Sequence, residues 1–177
     1  MAAHGASDRP VNAFETARLS FRAFEPEDLD ELARISGDLE TSRYVGEGQP
    51  LTRAQTREWI ENSRRNVAEH GYGTGAVVLR STGALIGWAG IARPGDGTEE
   101  IIYGFDRPHW GQGLGGELLA GLVQWAVGRL GFRELRATVH PDNTASVAML
   151  ERQGFNLVEA AFDGDPEVHL YILTLSP

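Results

Sequence analysis

Trp110-Gly111-Gln112-Gly113-Leu114-Gly115-Gly116 is the stretch whose reading decides the fold, because four of its seven residues are glycine and both flanks are strongly patterned. Before it, 101–105 is a short, mainly apolar run with strand character. After it, Leu119, Leu122, Val123, Ala126 and Leu130 recur at helical spacing, which predicts one buried face on a helix over 117–130. A strand, a glycine-rich turn and a helix N-terminus together make a site for an anion. Glycine lets the backbone approach closely, the first helical N–H groups have no internal partner, and the helix dipole adds partial positive charge. A Walker loop needs a lysine at its end, and this turn closes on Gly115-Gly116-Glu117. The dinucleotide pattern G-x-G-x-x-G is present at Gly111, Gly113 and Gly116. Its context is wrong, because 106–110 separates the strand from the first glycine and no acid closes the next strand. A plain surface turn before a core helix also fits the turn taken alone.

Working outward, 18–23 alternates Leu19, Phe21 and Ala23 against Arg18, Ser20 and Arg22, a half-buried strand. Pro26 with Glu27 and Asp28 opens a short helix that stops before Gly37. Thr52-Arg53-Ala54-Gln55 is a capping box that starts a helix running to about Glu69. Strands are expected over 76–79 and 85–91, joined through Ser81-Thr82-Gly83, and over 99–105 and 133–139. The last two flank the glycine-rich turn and its helix, which predicts a right-handed crossover between parallel strands. Asn143 is a good N-cap for a helix ending at Gly154, with Ser146 in its first turn. A closing hairpin is expected from 155–162 and 168–175.

Three segments carry a family resemblance. Gly111-Gln112-Gly113-Leu114-Gly115 resembles the pyrophosphate loop of the GNAT N-acetyltransferases, with Trp110 where Arg or Gln is usual. Asn143-x-x-Ser146 … Leu150-x-x-x-Gly154-Phe155 resembles the segment after that family's fifth strand. Glu15-Thr16-Ala17-Arg18-Leu19-Ser20-Phe21-Arg22 resembles the opening of the branch that acetylates ribosomal-protein N-termini, including the alanine-specific enzyme. The resemblance implies a single α/β domain: a mixed sheet of about seven strands, helices on both faces, and central parallel strands that splay apart around the pantetheine arm.

The resemblance also implies acetyl-CoA as co-substrate and a function as an N-acetyltransferase. Coenzyme A contacts would come from Phe105, Gly111, Gln112, Gly113, Leu114, Gly115, Gly116, Asn143 and Ser146. Attack by an amine needs a base, and resemblance puts that role on Glu100, with His109 and His140 as rivals by their ordinary pKa. Many family members protonate the departing thiolate with a tyrosine four residues before the Gly-Phe pair. Leu150 stands there, and the resemblance to the ribosomal-protein branch implies Ser146 as the proton donor instead, with hydrogen bonding at the helix start as its alternative role. A backbone N–H near Ile102 or Tyr103 would stabilise the oxyanion. Tyr44 and Trp88 would line the acceptor cleft, with a surface-loop residue and a core residue as their respective alternatives.

The expected acceptor is a protein N-terminal amine. A small-molecule amine (aminoglycoside, polyamine or amino acid) and a catalytically weak acyl-CoA-binding role remain as alternatives. The 177 residues suffice for one domain, expected over 13–177 behind a disordered tail, 1–12. A formal net charge of −9 argues against general nucleic-acid binding. There is no cysteine, so thiol chemistry by the chain is excluded, in keeping with a cytoplasmic enzyme acting by direct transfer. The five histidines are scattered, giving no metal site, and no run of about 18 apolar residues predicts a membrane span. Both a monomer and a homodimer are compatible with the sequence.

Overall fold

Alternation along β2 (Leu19–Ala23) buries Leu19 and Phe21 and leaves Ser20 part-exposed, as a strand with one face on a core requires. The computed structural model describes residues 13–175; the tail expected over 1–12 lies outside the described residues. β2 pairs with the short β1 (Phe14–Glu15) on one edge and β3 (Thr74–Leu79) on the other. β4 (Ala84–Ala92) and β5 (Glu100–Phe105) complete a five-stranded sheet ordered β1-β2-β3-β4-β5. β6 (Glu134–Val139), β7 (Asn156–Glu159) and β8 (His169–Thr174) form a second sheet ordered β6-β8-β7.

Helices cover both faces of the larger sheet, as expected. On one face, α1 (Leu29–Ser36) and α3 (Arg53–His70) pack Leu32, Ile35 and Ile60 against Phe24, Ala76, Leu85 and Trp88. On the other, α4 (Leu114–Gly128) sets Leu118, Leu119 and Leu122 against Phe21, Val77, Ile86 and Ile101, and α5 (Thr144–Arg152) adds Leu150. α2 (Leu39–Ser42) is a single turn between α1 and α3. The capping box forms as read: Thr52 Oγ1 accepts from the Gln55 amide, and Gln55 Oε1 from the Thr52 amide. Gly71 ends α3 at φ +82, a left-handed cap that glycine adopts without strain. Among the described residues, no helix is long and apolar enough to cross a membrane.

The sheet differs from the expected single mixed unit of seven strands. Among the described residues there are eight strands in two sheets, and every ladder is antiparallel. The extra strand is β1, two residues held by the turn at Thr16 and too short to leave an alternation in the sequence. No ladder joins β5 to β6, which lie in separate sheets, in keeping with the splay expected there. β6 takes β8 as its antiparallel partner, and side chains bridge the remaining gap: Thr138 Oγ1 donates to Glu100 Oε2 at 2.7 Å. β7 is shorter than its predicted range because the chain turns early, with Ala161 and Asp163 in left-handed conformation.

Candidate active site

The glycine-rich turn folds as an anion cradle. A 3-10 turn, Arg107–His109, follows β5, and the Trp110 indole N–H returns to the Phe105 carbonyl at 2.8 Å. Gly111 and Gly113 take φ of +72 and +76, and Gly113 is the N-cap of α4, one turn earlier than the periodicity predicted. No described residue accepts a hydrogen bond from the amides of 111–116. Six successive main-chain donors at a helix N-terminus fit a diphosphate. A Cβ on Gly116 would meet nothing within 4 Å. Gly115 is constrained otherwise: a Cβ there would fall 2.6 Å from Met149 Sδ, so its lack of a side chain lets α4 and α5 approach. Leu114 is buried, as is Phe105, so each offers the site only its backbone.

Glu117, in the first turn of α4, would repel an anion if its charge stood free. Instead Oε1 accepts from Thr16 Oγ1 at 2.6 Å and from the Arg18 amide at 2.7 Å, while Oε2 pairs with Arg18 Nε at 2.6 Å. Burial pushes this carboxyl up, but the Thr16 and Arg18 bonds outweigh it and hold it below the usual range. Arg18 Nη1 also donates to the Gln112 carbonyl at 2.9 Å, tying β2's entry to the turn.

At the gap between the two sheets, Asn143 caps α5, its Oδ1 accepting from the Ser146 amide at 3.3 Å. Ser146 Oγ lies 2.7 Å from the Tyr103 hydroxyl, a bond that joins β5 to α5 across the gap. Burial raises the Tyr103 pKa, with the Ser146 bond acting in the opposite sense. Leu150, one turn further along α5, is buried in the core and presents no hydroxyl. No local pattern points to the Tyr103–Ser146 pair, since 43 positions separate its members.

Glu100 shares its sheet face with Ile102, which packs on the α1 and α3 side, whereas Tyr103 packs on the α4 side. Its second oxygen lies 3.2 Å from Arg93 Nη2. Arg93 is itself in left-handed conformation and is anchored by donation to the Thr98 carbonyl. Glu99 faces the other way and accepts from the Gly95 amide and the Tyr72 hydroxyl. His140, past the end of β6, meets the ring of the loop residue Tyr44 in a tilted contact, centroids 5.1 Å apart. His140 Nδ1 accepts from the Asp142 amide at 3.1 Å. His109 lies in the 3-10 turn, away from this group.

Trp88 is corrected from cleft to core. It is 2% exposed, edge-on to Trp59, and lies over Gly104, where a Cβ would fall 2.2 Å from its ring. Two ion pairs absent from the sequence reading tie α1 and the following loop to the end of β5. Arg34 pairs with the buried Asp106, and Arg107 Nε stands 3.4 Å from Asp38. They line an open cleft of about 750 Å³ with Trp110 at its rim.

Comparison with known proteins agrees with this geometry. The model of the acetyltransferase (GNAT) domain matches residues 18–156. An uncharacterized N-acetyltransferase, p20 of Bacillus licheniformis, is 28% identical over 79% of this chain and 80% of its own. N-alpha-acetyltransferase RimI of Mycobacterium tuberculosis is 32% identical over 76% of this chain and 81% of its own. In structure, the chain is similar to RimL, a ribosomal L7/L12 alpha-N-protein acetyltransferase solved in complex with coenzyme A. The TM-score is 0.78 over 92% of this chain and 98% of RimL, at 19% identity, a likeness of fold.

Proposed function

This chain belongs to the acetyltransferase (GNAT) family and is an acyltransferase; on that premise we propose that it moves acetyl from acetyl-CoA directly onto a primary amine, the α-amine of a protein N-terminus. The donor half rests on one observation: six consecutive amides, 111–116, with no acceptor in the described chain, at the head of α4 beside a gap that no ladder closes. The acceptor half is supported by kinship with RimI, an N-alpha-acetyltransferase, and by the fold shared with RimL. The cytoplasm, where ribosomal proteins are made, is the compartment such an acceptor implies.

Acetyl-CoA supplies the activated acetyl group as a thioester. The 111–116 amides hold its diphosphate, Asn143 and the backbone around Phe105 guide the arm, and Ser146 donates a proton to sulfur. Glu100, with Tyr44 and His140 further along the same wall, receives the amine and takes its proton, directly or through water. The edge of β5 that faces the gap offers an N–H near Ile102 or Tyr103 to the oxyanion. Base and acid thus stand on opposite sheet faces, which lets the amine enter from one side while the thiolate leaves on the other.

Thiol release measured over a panel of amines tests this reading. The expected result is turnover with peptides bearing a free N-terminus and none with the same peptides N-terminally blocked. Turnover confined to small amines would transfer the acceptor assignment to them. Acetyl-CoA binding without turnover on any amine would leave only the acyl-CoA-binding role.

A further inference from the structure

We propose that Tyr103 is the positioning residue for Ser146, and that the two hydroxyls form a relay that carries a proton to the departing sulfur. This rests on the reading that Ser146 faces the thioester. The geometry is a 2.7 Å bond between two hydroxyls, one from β5 and one from the first turn of α5, at the place where the sheets part. Each oxygen can donate one proton and accept another. The Tyr103 hydroxyl makes no other hydrogen bond among the described residues, so its proton is available to Ser146 Oγ. Once it is given there, the Ser146 proton is released to point outward along the gap. Tyr103 is well placed to stay a donor, because burial keeps it a neutral phenol. The next α5 side chain on that face is Leu150, which can supply no proton.

The step balances. The amine nitrogen bonds to the acetyl carbon and the carbon–sulfur bond breaks. Sulfur takes the Ser146 Oγ proton, Ser146 Oγ takes the Tyr103 proton, and the phenolate recovers one from water. The proton lost by the amine leaves through Glu100.

Tyr103→Phe removes the hydroxyl and keeps the ring, so packing is preserved. Single-turnover rates of the full chain are expected to fall about 10-fold, at the low end for a lost proton-transfer group, with the acetyl-CoA Kd unchanged. On a Ser146→Ala background the same substitution is expected to add nothing, because the relay is already cut. A purely structural tyrosine would lower both backgrounds by the same factor, and that result overturns the relay. So does an unchanged rate in Tyr103→Phe when Ser146→Ala is slow. If Ser146→Ala itself turns over at the normal rate, the assignment of Ser146 fails first and the relay falls with it, while loss of acetyl-CoA binding by the Gly113→Asp enzyme would still stand for the donor site. Should Tyr103→Phe not fold, the wild-type single-turnover rate in H2O–D2O mixtures decides: a curved dependence is expected of two moving protons, and a straight line overturns the proposal.

Discussion

At the turn 111–116 the candidate site is made of main chain: six successive amides with no acceptor among the described residues, four of them on glycines. At the opposite end, around Glu100, Ser146 and Tyr44, it is made of side chains, each fixed by a partner from another element: Arg93 and Thr138, Tyr103, and His140. On the function proposed above, the two ends recognise different things. A diphosphate is the same in every acetyl-CoA, so a fixed array of backbone dipoles suffices to hold it. An amine must also be deprotonated and oriented, which needs groups whose charge and position can be set one by one. Substitutions at the first end should therefore act on donor affinity, and those at the second on turnover.

The largest effect is expected from Gly113→Asp. It puts a carboxylate on the turn, at a residue whose φ of +76 already disfavours a side chain and whose Cβ would lie 3.6 Å from Arg18 Nη2. Two like charges a few ångströms apart at a partly shielded site cost several kcal/mol at most, and acetyl-CoA affinity should fall about 100-fold by calorimetry. Gly113→Asn has nearly the same shape without the charge and should lose far less. Equal affinities in all three proteins would refute the main-chain cradle.

Next comes Glu100→Gln, which keeps the shape and the acceptor for Thr138 while removing the charge beside Arg93. The expectation is a fall in kcat of about 10-fold or more, in line with loss of a general base, and an unchanged acetyl-CoA Kd. If Glu100 is only a strand-start ion pair, kcat will hold and melting temperature alone will drop. That outcome would erase the division of labour between the two ends.

The same division explains what could be read in the sequence. The turn was legible because its parts are consecutive: a strand, the positive-φ glycines and a helix start follow one another along a single stretch, 100–116. The long helices followed from periodicity and from the capping box at Thr52 and Gln55, and their placement on both faces of the sheet from the family resemblance. Glu100 and Ser146 came by resemblance, and no spacing rule pointed to Tyr103, Thr138 or Arg93 as their partners. The contacts of Thr138 and Tyr103 join residues 38 and 43 positions apart, on elements that no ladder connects, and local pattern holds no record of them. Trp88 was misplaced for a related reason. An indole looks alike in a cleft and in a core until the glycine beneath it, Gly104, is found on the neighbouring strand.

The smallest effect sharpens the comparison from inside the donor end, where one side chain does matter. Glu117 is the acid nearest the cradle, and Thr16 and Arg18 together claim both its oxygens. Its folded pKa is depressed, so its ionised form contributes stability above the unfolded glutamate value of about 4.3, and that contribution is lost as pH falls through the folded value. Glu117→Gln retains an acceptor and discards the charge. At pH 7 the variant should be less stable by about 1 kcal/mol, the scale of a partly exposed charged pair, as read from denaturant midpoints. The gap between wild type and variant should close as pH drops below about 4, because a protonated Glu117 is then nearly a glutamine. A gap that persists unchanged into acid would mean that the carboxylate charge is not what Arg18 holds, and that the cradle's neutrality is due to the backbone alone.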